Sequence, residues 1–159
     1  MQKTKILIVD DHHLIREGLK KILQAEQEFE VIGEFSEAGP ALLFITHNDV
    51  DLLILDINLP DKSGIDVLNE IKEMKTDLKI LILSAYPEEQ YAERVFRAGA
   101  MGYVTKDSAS DELLAAVKKI ISGGRYVSSK LADMIATRFD FDLNKKLHEK
   151  LSEREFQIM

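Results

Sequence analysis

The chain of 159 residues contains no cysteine and no tryptophan, and only three prolines. Without cysteine there are no disulfides, no thiolate metal sites and no thiol nucleophile, a composition that fits a reducing compartment. No stretch reaches the roughly 18 consecutive apolar residues that a membrane-spanning helix requires. The opening MQKTKILIVDD has too short an apolar run before its acids for a signal peptide. The expectation is a cytoplasmic protein with no membrane partner. Basic residues are in the minority, 21 Lys and Arg against 28 Asp and Glu, for a formal net charge of −7. Such a balance opposes binding a nucleic-acid backbone by bulk electrostatics. A glycine-rich phosphate loop is missing as well, which argues against a nucleotide carrier.

What is present is an apolar share of 45% and a charged share of 31%, the mixture of a globular protein with a real core. Four runs have the continuous aliphatic character of strands covered on both faces: KILIV (5–9), DLLIL (51–55), KILIL (79–83) and GYVT (102–105). FEVIGEF (29–35) is a fifth candidate. Helical spacing lies between them. HLIREGLKKILQ carries Ile15, Leu19, Ile22 and Leu23 on one face, and GIDVLNEIKEM carries Ile65, Leu68 and Ile71. SASDELLAAVKKIISGG presents Leu113, Leu114, Val117, Ile120 and Ile121; Ser108 with Asp111 predicts a capping box, and Gly123 with Gly124 a stop. Strand and helix in alternation predict an α/β fold, five βα units around a parallel sheet with right-handed crossovers, ending near residue 124. Beyond it, SSKLADMIATRFDF (128–141) has a weaker stripe through Leu131, Met134, Ile135 and Phe139, and DFDLNKKLHEK reads as linker.

In an open parallel sheet all strands end at one edge, where such folds bind ligands. Here the first run ends on Asp10 and Asp11, the third on Asp56, the fourth on Ser84, and the fifth leads into Lys106. Each alone has an ordinary structural role, as a helix cap, a turn residue or a solvated tip. Together they form a patch. At about 4 Å and an effective dielectric of about 20, one pair of carboxylates repels by about 4 kcal/mol. A hard dication with oxygen ligands relieves that repulsion, and Mg2+ suits it while leaving positions for phosphate oxygens. Asp56, on the central strand, is then placed to attack a phosphoryl group, with Lys106 and Ser84 stabilising the transferring oxygens. His12 and His13 are adjacent in sequence and His47 and His148 isolated, so all four are expected on the surface or in loops.

The strings ILIVDDH, LLILDINLPDKSG, ILILSA and RAGAMGYVTKD, in this order and spacing, resemble the receiver domain of bacterial two-component response regulators from about Lys3 to Gly124. The resemblance implies a flavodoxin-like doubly wound sheet of order 2-1-3-4-5. It implies Asp56 as the phosphorylated aspartate, and Asp10, Asp11, Asp56 and the backbone carbonyl of Asn58 as ligands of Mg2+, for which Mn2+ can substitute. It further implies Ser84 as the switch hydroxyl, Tyr103 as the switch aromatic and Lys106 as the lysine that contacts the phosphoryl group. The implied partner is a sensor histidine kinase, with a receiver homodimer on phosphorylation. The protein is not expected to be a turnover enzyme, although it would catalyse its own phosphorylation and slow dephosphorylation.

DDHHLIREGL and GYVTKD are similar to regulators that end in a LuxR-type helix-turn-helix, and LSERE to the first turn of that domain. The expected organisation is a receiver at 1–124, a linker with a helix at 125–149, and the truncated start of a LuxR-type domain at 150–159. Helices that would enter the major groove are not in the chain, so DNA would be reached only through that missing domain. Asp107 follows Lys106 where many receivers carry proline, and Gly39-Pro40 stands where many have a polar pair; Pro40 is tolerable in a helix's first turn. Two rival readings exist. A phosphohydrolase of the haloacid-dehalogenase type would want an aspartate where this chain has Asn58, and an inserted cap. A pure binding module would have no use for an intact acidic cluster.

Overall fold

The computed structural model describes residues 2–75, 77–127, 132–133 and 136–137. Residues 1–127 form one compact unit and 128–159 a second. The weak stripe at 128–141 falls mostly, and the expected start of a further domain at 150–159 wholly, outside the described residues.

The five aliphatic runs are five parallel strands: β1 (Thr4–Val9), β2 (Phe29–Phe35), β3 (Leu52–Asp56), β4 (Lys79–Ser84) and β5 (Gly102–Thr105), in the order β2-β1-β3-β4-β5. Helices α1 (His13–Gln24), α2 (Ala38–His47), α3 (Gly64–Met74), α4 (Glu88–Arg97) and α5 (Ala109–Ile121) connect and follow them. Fold class and strand order are as the resemblance implied.

The runs lack in/out alternation because both faces of the sheet are covered. Ile6, Ile8, Leu52, Ile54, Leu81 and Leu83 pack with Leu19 and Leu23 of α1 and Leu113, Val117 and Ile120 of α5. The residues between them, Leu7, Val9, Leu53, Leu55, Ile80 and Ile82, are equally buried. By strand geometry these point to the opposite face. Burying each such side chain contributes roughly 1.5–3 kcal/mol, so a charge at Ile54 would disrupt the centre of the sheet. Edge strand β2 is only partly buried, and its pairing with β1 shifts between Ile6 and Leu7.

Helix ends show which local signals prevail. Ser63 caps α3, its hydroxyl accepting from Asp66 N at 3.2 Å. Helix α2 is capped across the structure by Asp61, whose carboxylate accepts from Ala38 N and Gly39 N, each at 2.9 Å. Pro40 lies in that helix's first turn, as expected. The capping box at α5 does not form. Ser108 ends a 3-10 turn over Lys106–Ser108, and its hydroxyl accepts from Thr105 Oγ1 at 3.0 Å instead of from the helix. That tight turn is how the chain leaves Lys106 without a proline.

Candidate functional site

Strand register sets the site. Asp56 pairs with Leu83 in β4, so Ser84 extends one residue past it, and Ser84 pairs with Thr105, which precedes Lys106. Asp10 follows β1, and its backbone N–H still reaches Phe35 O of β2 at 3.0 Å. The backbone behind Asp10 is further braced by Arg16, whose Nη1 donates to Asp10 O at 2.6 Å while Nε donates to Glu34 Oε1 at 3.0 Å. Gly64 keeps the loop after β3 close: its N–H donates to Ile57 O at 2.5 Å, and a Cβ there would lie 2.5 Å from Ile57 Cα and 2.9 Å from Asp56 O.

Four of the expected residues meet directly. Asp10 and Asp56 are 1% and 3% exposed, which no unpaired carboxylate tolerates. Lys106 answers both: Nζ donates to Asp56 Oδ2 at 2.9 Å and to Asp10 Oδ1 at 3.2 Å. The remaining oxygen of Asp56, Oδ1, accepts from Asn58 N at 3.1 Å. Asp11 stands at the rim, more exposed, within the same cluster.

The cause of the electrostatic tension differs in one respect from the sequence expectation. Burial is the largest influence raising the Asp56 pKa above its ordinary 3.8, opposed by the Lys106 hydrogen bond; the repulsion from Asp10 comes only after these. Burial also works against the charge on Lys106. Its bonds to Asp56 and Asp10 outweigh that, so the ammonium is held more firmly protonated than usual.

Asp10 Oδ2 tests the site for a cation. It is buried and accepts no hydrogen bond. The Lys106 ammonium lies 3.0 Å from it but off the line of a bond, and meets it only as a charge. A buried carboxylate oxygen with no donor, beside two further carboxylates, suits a hard dication with oxygen ligands. The oxygens of Asp10, Asp11 and Asp56 come within 4.8 Å of one another, together with a nitrogen of His12.

His12 was not anticipated at the site. Its ring is 60% exposed, as a surface histidine should be, yet Nδ1 sits 3.0 Å from both Asp10 Oδ1 and Asp11 Oδ1 and 2.9 Å from Lys106 Nζ. The backbone turns here because His12 N donates to Asp10 Oδ1 at 2.8 Å, folding the next residue back over the acids. An aspartate two residues before an amide that it can accept from is the available sequence signal.

Ser84 and Tyr103 do not touch this cluster through any hydrogen bond described, but they are connected to each other. Ser84 is fully buried, and its hydroxyl accepts from Tyr86 N at 3.0 Å. Tyr103, also fully buried, donates its hydroxyl to Tyr86 O at 3.0 Å. One residue of the loop after β4 thus joins both side chains.

The family model described as Response regulator receiver domain matches residues 6–118. Response regulator UvrY of Escherichia coli (strain K12) is 34% identical over 155 residues, covering 97% of this chain and 71% of that protein. Oxygen regulatory protein NreC of Staphylococcus haemolyticus (strain JCSC1435) is 34% identical, covering 98% of this chain and 75% of its own. Among solved structures, a two-component response regulator of the LuxR family from Aurantimonas sp. SI85-9A1 aligns with a TM-score of 0.79 at 32% identity, covering 86% of this chain and 98% of that one. Among the described residues no helix is long and apolar enough to cross a membrane.

Proposed function

The chain belongs to the response regulator receiver domain family, and on that premise we propose that Asp56 accepts a phosphoryl group from a sensor histidine kinase. The carboxylate of Asp56 attacks phosphorus, the bond to the kinase histidine breaks, and the imidazole leaves with the electron pair and takes up a proton. The product is an acyl phosphate. The supporting observation is a buried carboxylate at the end of the middle strand, hydrogen-bonded by Lys106 and adjacent to the donorless Asp10 Oδ2.

Each residue has a task that follows from its surroundings. Asp10, Asp11, Asp56 and the carbonyl of Asn58 would hold Mg2+, or Mn2+ in its place. The ion supplies positive charge that keeps Asp56 ionised and balances the incoming phosphoryl oxygens. Lys106, already bonded to Asp56 Oδ2, is placed to turn its ammonium to a phosphoryl oxygen. Ser84 offers its hydroxyl proton to another. A separate reaction, attack by water on phosphorus, breaks the acyl phosphate bond, releases inorganic phosphate and returns the Asp56 carboxylate, which gives the slow self-dephosphorylation expected of such a site.

Charge-assisted hydrogen bonds contribute about 1.5–3 kcal/mol each, so two new bonds from Lys106 and Ser84 give roughly 3–6. Converting a 1:99 equilibrium to 99:1 takes about 5.5 kcal/mol. The phosphoryl group is barely sufficient alone, and a receiver homodimer on phosphorylation supplies the remainder, with the surface around α4 and α5 reshaped as Ser84 and Tyr103 move. Movement of Ser84 is transmitted through Tyr86 to Tyr103, the switch aromatic. The output is regulation of transcription by a LuxR-type DNA-binding domain, with residues 1–124 as receiver, 125–149 as linker and 150–159 as the start of that domain. The setting is the cytoplasm.

Incubation with a small-molecule phosphodonor and Mg2+ should add one base-labile phosphoryl group, located at Asp56 by peptide mass spectrometry. Asp56→Asn should remove it. A label that persists in this variant would move the nucleophile elsewhere.

A further inference from the structure

We infer that His12 is an additional, selective ligand at the acidic cluster, giving it a preference for late first-row divalent ions over Mg2+. This rests on the reading of the cluster as a cation site. The surroundings of His12 Nδ1 carry the inference. One ring nitrogen faces Asp10 Oδ1 and Asp11 Oδ1, both at 3.0 Å, and the Lys106 ammonium at 2.9 Å. A nitrogen bearing a proton can donate to one of the carboxylates but not accept from the ammonium; without the proton it accepts from Lys106 and has nothing for the acids. No single state satisfies all three neighbours. A dication between the carboxylates satisfies the nitrogen and the oxygens together, with the Lys106 ammonium turned away from Nδ1.

Geometry places the donors within reach. One atom each from Asp10, Asp11, His12 and Asp56 lies within 4.8 Å of all the others. Donors about 2.0–2.2 Å from a shared ion stand up to about 4.4 Å apart across it, so small movements close the shell. The independent observation is again Asp10 Oδ2, buried and accepting no hydrogen bond, with the Lys106 ammonium 3.0 Å away meeting it only as a charge. Backbone placement readies the ring: His12 N donates to Asp10 Oδ1 at 2.8 Å, so the imidazole is held at the rim whatever its rotamer. Oxygen ligands alone favour Mg2+, whereas an imidazole favours ions later in the row.

Co2+, close to Mg2+ in radius, separates ligand type from cavity size. Calorimetric titration of the full chain with each ion, beside His12→Ala, is the test. The alanine variant keeps the backbone amide that bonds Asp10. Its Co2+ affinity should fall roughly tenfold or more, as loss of a ligand or its support does, with Mg2+ affinity unchanged. In the wild-type protein, Co2+ should produce paramagnetically shifted His12 ring resonances. An unchanged Co2+ to Mg2+ affinity ratio in the variant, or His12 resonances indifferent to Co2+, would overturn the inference while leaving the cluster a cation site. Wild-type protein that bound neither ion would overturn both.

Discussion

Lys106 and Asp56, fifty residues apart, meet through a 2.9 Å hydrogen bond in which both partners are almost excluded from water. The pair is not balanced: burial raises the pKa of Asp56 in spite of the lysine. The ionised form of Asp56 therefore weakens the fold while making the residue reactive, and the consequence can be measured.

The folded-state pKa of Asp56 lies above its unfolded value of 3.8. Folding then binds extra protons, and stability falls as pH rises from the unfolded toward the folded pKa. Asp56→Asn removes the ionisation and keeps an oxygen for Lys106. The variant should melt above the wild type at neutral pH, with the gap closing below pH 3.8, where both carry a neutral side chain. Differential scanning calorimetry across that range is decisive; a variant less stable at pH 7 would contradict it.

Gly64→Ala places a methyl group against main chain rather than a yielding side chain. Overpacking of this kind costs about 1–3 kcal/mol, and here the displaced backbone carries Asp56. Urea denaturation should show the loss, and phosphodonor labelling of Asp56 should slow in protein that is still folded.

Asp61→Ala removes the cap of α2. Losing an N-cap costs about 0.5–2 kcal/mol. The amides of Ala38 and Gly39 lower the Asp61 pKa below 3.8, so the contribution is complete above that value and vanishes as pH falls through the folded pKa. Wild type and variant should accordingly differ in stability at pH 7 and converge in strong acid. Asp61→Asn, which keeps one acceptor oxygen, should recover part of the difference.

Tyr103→Phe takes away the donor to Tyr86 O. A hydrogen bond of this type contributes about 0.5–1.5 kcal/mol. Labelling of Asp56 should proceed at the wild-type rate, because the tyrosine touches none of the acids through any bond described. Dimerisation on phosphorylation, followed by sedimentation, should weaken. Loss of labelling instead would place Tyr103 in the chemistry rather than downstream of it.

Much of this was legible in the residues because local and long-range preferences agree. The limits of α1 and α3 coincide with their apolar stripes, and β2 with FEVIGEF. Asp10, Asp56, Ser84 and Lys106 were legible from strand direction alone, since parallel strands must deliver their ends to one edge. Failures arose where partners distant in sequence, or a local turn, took over. Asp61 caps a helix that begins 23 residues earlier, a relationship no local pattern encodes. Ser108 yielded its capping role to the turn after Lys106. His12 was read by its neighbour His13, although its position is governed by Asp10 two residues before. The burial of Asp56, rather than the company of other acids, dominates its proton affinity, and burial depth depends on the assembled helices.

The carboxylate of Asp61 lies in the segment that leads away from Asp56, and it grips the first two amides of α2. Any rearrangement of that segment loosens those amides from their acceptor. Deuterium uptake at Ala38 and Gly39 should therefore report a rearrangement that begins at Asp56.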